Sequence, residues 1–249
     1  REEIPSAAAA RRAAQPMRFP IDAHLLHGAG TTWMIDAQGG GFLSRNGVML
    51  TRFSECCRLP SGMRFYLRDS QSGAYWNVTD PGLTQSVSFE TAQAVFAHER
   101  FQVESELRLF VNPLDGVALA CLTLKNHSGM ERMMEVCSYL EPALASQRDD
   151  AAHPAFQNLF VRTGRLGKYG VAAMRRPRDP SGESRRLWHL MATDASLTML
   201  RVQTDRTAFL GRGRTIYAPR ALEMPISAVA DTLGDVIEPC LSLRGQFVL

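Results

Sequence analysis

Arg206, Arg212, Arg214 and Arg220 surround a Phe-Leu-Gly-Arg-Gly-Arg core within the stretch Arg206–Leu222. Guanidinium groups present planar forks of donors that suit carboxylates, phosphates and paired sugar hydroxyls. The interleaved glycines let the backbone turn tightly or approach another surface closely. The pattern reads as a docking or ligand-facing loop, with an exposed basic turn as the plainer alternative. A second group is Asp149, Asp150 and His153, just ahead of Pro154. Proline biases His153 away from helix, so an extended loop or turn is expected. Its polar groups either form a rim that touches a sugar or a neighbouring domain, or cap a turn. Glu104 and Glu106 sit two apart on an alternating segment. On a strand they share a face with Cα atoms about 6.5–7 Å apart, which overlaps the carboxylate separation of an inverting glycosidase. Two carboxylates on one sheet face cannot flank a glycosidic bond from opposite sides, so a solvated face is the expectation.

Other chemistries find less support. His24 and His27 are three apart, without a nearby cysteine or carboxylate cluster, so no metal site is expected. There is no Gly-x-Ser-x-Gly elbow, P-loop or dinucleotide fingerprint, and no cofactor is implied. Gly39-Gly-Gly41 lacks a following helical pattern and marks a bulge or close approach rather than a phosphate cradle. Of the three tryptophans, Trp33 and Trp188 are assigned to the core. Trp76, beside Tyr75 at a strand end, is the candidate for an exposed stacking surface.

The elements that must position these groups are mostly strands. Phe101–Phe110 alternates Phe101, Val103, Leu107 and Leu109 against Gln102, Glu104, Glu106 and Arg108, the pattern of a half-buried strand. Val117–Leu124 is apolar on both faces, as in a strand covered on both sides. Turn residues at Asn112–Gly116 and Asn126–Gly129 join these to Met133–Leu140, which predicts a three-strand meander at the centre of the fold. Shorter strands are predicted at Thr32–Asp36, Val48–Phe53, Met63–Asp69, Ala74–Trp76, Gln85–Glu90, Ala92–His98, Asn158–Thr163, Tyr169–Arg175, Trp188–Thr193 and Met199–Gln203. Arg206–Leu210 fits one helical turn, and Asp231–Ile237 is expected to join the last strand. The spacing favours an all-β sandwich.

A hydrophobic content of 45% supplies a core, and a net charge of +3 is too small for a nucleic-acid binder. No apolar run is long enough to span a membrane. The five cysteines are odd in number and form no Cys-x-x-Cys pair, which points to free thiols in a reducing compartment. The first residue is Arg1, which suggests a fragment or processed product. Residues 1–19 read as a linker or extension and residues 20–249 as one domain.

The order Gly39-Gly-Gly-Phe42, Tyr66-Leu-Arg-Asp69, Asp149-Asp-Ala-Ala-His-Pro-Ala-Phe156, Asn158-Leu-Phe-Val-Arg162, the Phe-Leu-Gly-Arg-Gly-Arg core and Asp231–Arg244 resembles the N-terminal β-sandwich domain of glycoside hydrolase family 94. Within it, the phosphorylase-like part of cyclic β-1,2-glucan synthases is the nearer likeness. Leu43-Ser-Arg-Asn46 and Thr51-Arg-Phe-Ser-Glu55 stand where members commonly carry tryptophan-containing elements. The resemblance implies an antiparallel supersandwich of two large sheets, similar to galactose-mutarotase-like domains. It also implies that this domain is non-catalytic and packs on an (α/α)6 barrel that carries the catalytic residues. His153, Phe156, Arg206, Arg212 and Arg214 would border the substrate entrance, with Phe156 and Phe209 anchoring the contact. The parent would process β-glucans, on the cytoplasmic face of the inner membrane or in the cytoplasm. An autonomous glucan-binding module and a mutarotase- or epimerase-like enzyme are the alternatives.

Overall fold

A computed structural model describes residues 22–54, 61–80, 86–177 and 182–249. The expected N-terminal extension, Cys56 and Cys57 lie outside these residues. The described chain is all-β and antiparallel. Hydrogen bonding divides its strands into four sheets.

The most deeply buried sheet has the order β16(Met199–Asp205), β17(Pro239–Val248), β11(Met133–Leu140), β5(Arg64–Asp69), β6(Tyr75–Asn77). Every residue of β5 is buried, because each face of this sheet is covered. On one face, Phe65, Leu67, Met134 and Phe247 join a core shared with two other sheets. The first of these is β1(Ala23–Gly28), β2(Thr31–Asp36), β3(Gly41–Arg45), β4(Val48–Thr51), β12(Pro142–Ala145), and it contributes Leu26, Trp33, Ile35 and Leu43. The second is β10(Ala118–Asn126), β9(Val103–Val111), β8(Gln93–Arg100), β7(Ser86–Glu90), which contributes Phe96, Val103, Leu107 and Leu109. The last sheet is β13(Val161–Leu166), β14(Gly170–Arg175), β15(Arg185–Leu190). Its Val171 and Ala173 pack on Leu140, Leu241 and Leu243.

The other face of the central sheet is polar. Glu135 accepts from Arg68 Nη1 at 2.9 Å and from Arg244 Nε at 2.7 Å. The two guanidinium groups also donate to backbone carbonyls of the overlying chain: Arg68 Nε to Leu222 O at 3.0 Å, and Arg244 to Ala221 O and Met224 O at 2.6 and 2.7 Å. A buried polar group is costly unless its donors and acceptors are satisfied, and this triad meets that condition by tying the segment after the arginine–glycine core onto the sheet. Phe209 and Leu210 of the helical turn α3 (Arg206–Leu210), with Ile216, Ala221 and Leu222, fill the rest of that face against Tyr66, Cys137 and Tyr139.

Several expectations are corrected. β9 and β10 pair as read, but β11 leaves them and pairs with β5 and β17, so the three strands form no meander. β10 is an edge strand, and Leu119 on it is exposed. An apolar run reads as covered on both sides only if the strand is interior, and this one is not. The segment expected to join the last strand instead bridges to β13 through Thr163 and Gly234. The glycine run does mark close approach: a Cβ on Gly41 would lie 1.9 Å from Met34 O, with φ at +133°. Asp36 Oδ1 accepts from the Gln38 and Gly40 amides across this turn.

Candidate functional site

Two short helices follow β12: α1 (Gln147–Ala152) and α2 (Pro154–Asn158). Ser146 caps α1 by accepting from the Asp149 amide at 3.1 Å. Pro154 occupies the first turn of α2, where its missing N–H is no loss. His153 is therefore the joint between two helices rather than part of an extended loop, and its backbone (φ −147°, ψ 68°) makes the break. Asp205 caps α3 by accepting from the Thr207 and Ala208 amides, and Gly211 ends it at φ +86°.

Between α1–α2 and the arginine–glycine loop lies a cleft of about 580 Å³. Arg52 enters from the end of β4 and grips Asp150 with two bonds of 2.9 and 3.0 Å, while donating to Asn158 Oδ1 at 2.7 Å. Glu141 Oε1 accepts from Tyr139 Oη at 2.7 Å and from Arg206 Nε at 2.9 Å. Arg206 Nη1 also reaches Glu238 Oε2 at 3.2 Å. The site thus interlocks two guanidiniums with three carboxylates. Burial works against the charge of Arg206, but Glu141 and Glu238 outweigh it and raise its pKa. Burial, then the neighbouring Glu141, pushes the Tyr139 phenol well above its usual value. No described histidine lines the cleft. His127 is elsewhere, paired with Glu104 at 2.8 Å on the β9–β10 sheet, and Glu106 is engaged by Arg108. Among the described residues, no three His, Cys, Asp or Glu side chains converge as a metal set.

The residues singled out from the sequence fall into three groups. Arg206 and Arg214 line the cleft, and Arg214 lies 2.6 Å from Glu223. His153, Phe156 and Arg212 are exposed, with Phe156 edge-on to Phe160 at 5.2 Å. Phe209 and Trp76 are not at any surface. Phe209 is 0% exposed and stacks on Tyr139 at 4.6 Å, so it anchors the loop to the sheet rather than to a partner. Trp76 is 2% exposed, edge-on to Phe101 at 5.4 Å, and offers no stacking face. The exposed tryptophan is Trp188, 61% accessible on β15, which had been assigned to the core. Arg52, Glu141, Asn158 and Glu238 were missed as site residues. For Arg52, Glu141 and Glu238 the only signal was charge beside a proline or a strand end, which surface residues share, and uncharged Asn158 had none.

The comparisons with known proteins agree with this architecture. A family model described as the supersandwich domain of glycosyl hydrolase 94 matches residues 11–249, and the chain belongs to that family. The match begins inside the stretch expected to be an extension. The chain is also similar to the cyclic beta-(1,2)-glucan synthase NdvB of Rhizobium meliloti (strain 1021), at 30% identity over 220 residues. That likeness covers 85% of this chain but 8% of the relative, so the chain spans less than a tenth of that protein's length.

Proposed function

We propose that this domain is a non-catalytic module of a glucan-processing enzyme, packed against an (α/α)6 catalytic barrel of the same parent chain and bordering its substrate entrance. The observation that carries this reading is the cleft: each of its carboxylates is held by an arginine. Membership of the glycosyl hydrolase 94 supersandwich family and the likeness to a glucan synthase support the enzyme class. His153, Phe156 and Arg212 form the exposed rim that meets the barrel, and Arg206 and Arg214 stiffen the wall behind it. In the same proposal the four sheets assemble as the two layers of a supersandwich. A cytoplasmic or membrane-face location belongs to it too, supported by the free thiols of Cys121, Cys137 and Cys240. No helix among the described residues is long and apolar enough to cross a membrane.

The test is reconstitution. Turnover of β-1,2-glucan is measured for this chain, for the parent's barrel, and for the two together. The chain alone should be inactive and should raise the barrel's activity, and Phe156→Ala with Arg212→Ala should weaken that gain. Turnover by the chain alone, or a barrel indifferent to its presence, overturns the reading. An epimerase-like activity would need an imidazole facing a carboxylate in the cleft, and no described histidine stands there.

A further inference from the structure

Among the described residues, the outward face of the β13–β14–β15 sheet is exposed at Arg162, Arg186, Trp188 and Leu190 and half-buried at Gly164, Leu166, Ala172 and Met174, and its register defines three rows. Arg186, Met174 and Arg162 form the first, Trp188, Ala172 and Gly164 the second, and Leu190, Gly170 and Leu166 the third. The middle row is distinctive. A bulky indole stands on one edge strand, and the two positions across the sheet from it carry a methyl group and a hydrogen. A Cβ built on Gly164 meets nothing within 4 Å, so the space above it is open. The result is a trough floored by the sheet and walled on one side by the exposed ring of Trp188.

Of the two arginines beside the trough, one is ion-paired and, among the described residues, the other is not. Arg162 is tied to Asp235 at 2.9 Å. Arg186 has no carboxylate within ion-pair distance among the described residues. It sits on the same face as Trp188, two residues along the strand, or roughly 7 Å away. A guanidinium at that range reaches the hydroxyls of a ring lying on the indole.

Size decides between occupants. Three rows of three residues span roughly 14 Å along the strands and roughly 10 Å across them. That footprint is far below the roughly 800 Å² per partner that a specific protein interface buries. It suits a short run of sugar rings. A pyranose presents one face of C–H groups, attracted to the electron-rich face of an indole, and a rim of hydroxyls for donors such as guanidinium.

We propose that the trough beside Trp188, floored by Ala172 and Gly164 and flanked by Arg186, is a carbohydrate-binding platform for a short β-glucan segment. The glucan class rests on the proposed function above; the stacking geometry stands without it. The platform lies on a different sheet from the cleft, so a domain that contributes no catalytic residue still holds polymer.

The protein provides its own reporter. Trp33 and Trp76 are buried, so solvent-dependent tryptophan emission comes from Trp188. The 249-residue chain is titrated with linear β-1,2-glucooligosaccharides, with cellooligosaccharides in a parallel series, by fluorescence and by calorimetry. Binding of either series should shift the emission to shorter wavelength and protect the ring from acrylamide quenching. Trp188→Ala should weaken binding by about tenfold or more. Gly164→Leu, at a position without positive φ, should fill the trough with a similar loss while circular dichroism and melting temperature stay unchanged. No heat and no spectral change with either sugar overturns the platform. Binding that survives both substitutions also overturns it, by placing the sugar elsewhere. Protection of Trp188 by the parent's barrel but not by sugar overturns it in favour of protein docking. Loss of the platform would leave the reconstitution test unaffected, because that test reads turnover and not binding by this chain.

Discussion

The cleft and the trough are opposite solutions to the placement of polar and aromatic groups. In the cleft, charged side chains are abundant and they are spent on each other: Arg52 on Asp150 and Asn158, Arg206 on Glu141 and Glu238. In the trough, chemistry is sparse, one indole and one guanidinium, and the floor beside them is empty. The denser cluster is therefore spent on internal pairing, and the sparser one keeps its indole and guanidinium unengaged among the described residues. A count of charged residues is a poor guide to where a ligand goes; unused hydrogen-bonding and stacking capacity is a better one.

The largest test of this contrast compares two tryptophans. Trp76→Ala removes a ring buried among Phe101 and the shared core, and should cost about 3–5 kcal/mol in urea unfolding. Trp188→Ala removes an exposed ring and should change stability by less than about 0.5 kcal/mol. Equal losses would mean that Trp188 packs against something and that the trough is not open.

Those two residues also mark the limit of what the sequence makes legible. Alternation located β9 and its buried face correctly, because polar and apolar positions there are cleanly separated. On β15 the two faces read Arg186, Trp188, Leu190 and Arg185, Leu187, His189. Both are mixed, so period alone does not say which faces inward. Burial of β15 is decided by Leu187, which packs on the core, and His189, which meets Ser138. These are contacts between sheets that no local pattern encodes. β10 failed similarly, since an edge strand with an apolar outward side looks like an interior one. The helical turn at Arg206–Leu210 was expected and forms, with Asp205 as its cap, and the tight glycine run was legible because adjacent glycines are a local signal. The break at His153 was half legible: Pro154 forbade a continuous helix, yet two helices meet there.

Within the arginine–glycine loop the same contrast predicts a smaller difference. Arg206→Ala strands Glu141 and Glu238 without their shared donor and should cost about 1–3 kcal/mol. Arg212 is exposed and makes no hydrogen bond or ion pair among the described residues, so Arg212→Ala should leave stability within about 0.5 kcal/mol. Paired denaturant curves separate the two. If the ranking reverses, Arg206 is not the clasp of the cleft and the loop is held by other means.

The mildest prediction concerns pH and two buried histidines, of which His189 lies behind the trough. His189 bonds Ser138 Oγ at 2.6 Å and so ties β15 to the central sheet. His98 lies buried on β8 with no partner for Nδ1. Burial pushes each imidazole down to about 4, with Arg100 adding to the effect at His98. The folded state then binds fewer protons than the unfolded chain, whose histidines titrate near 6.5. The stability they contribute is fully present above about pH 6.5 and is lost as pH falls toward about 4. Below the midpoint, His98 should contribute up to about 1.4 kcal/mol per pH unit. Asp80, whose burial raises its carboxyl, works in the opposite direction lower in the same window. The clean measurement is therefore the difference in pH slope between the native chain and His98→Gln. Hydrogen exchange across β15 should rise in the same range as His189 gains a charge in its buried place beside Ser138, while exchange in β9 amides distant from both histidines changes less. A slope identical in the variant would show that His98 is not held neutral, and unchanged β15 exchange would show that the trough's edge strand does not depend on the Ser138–His189 bond.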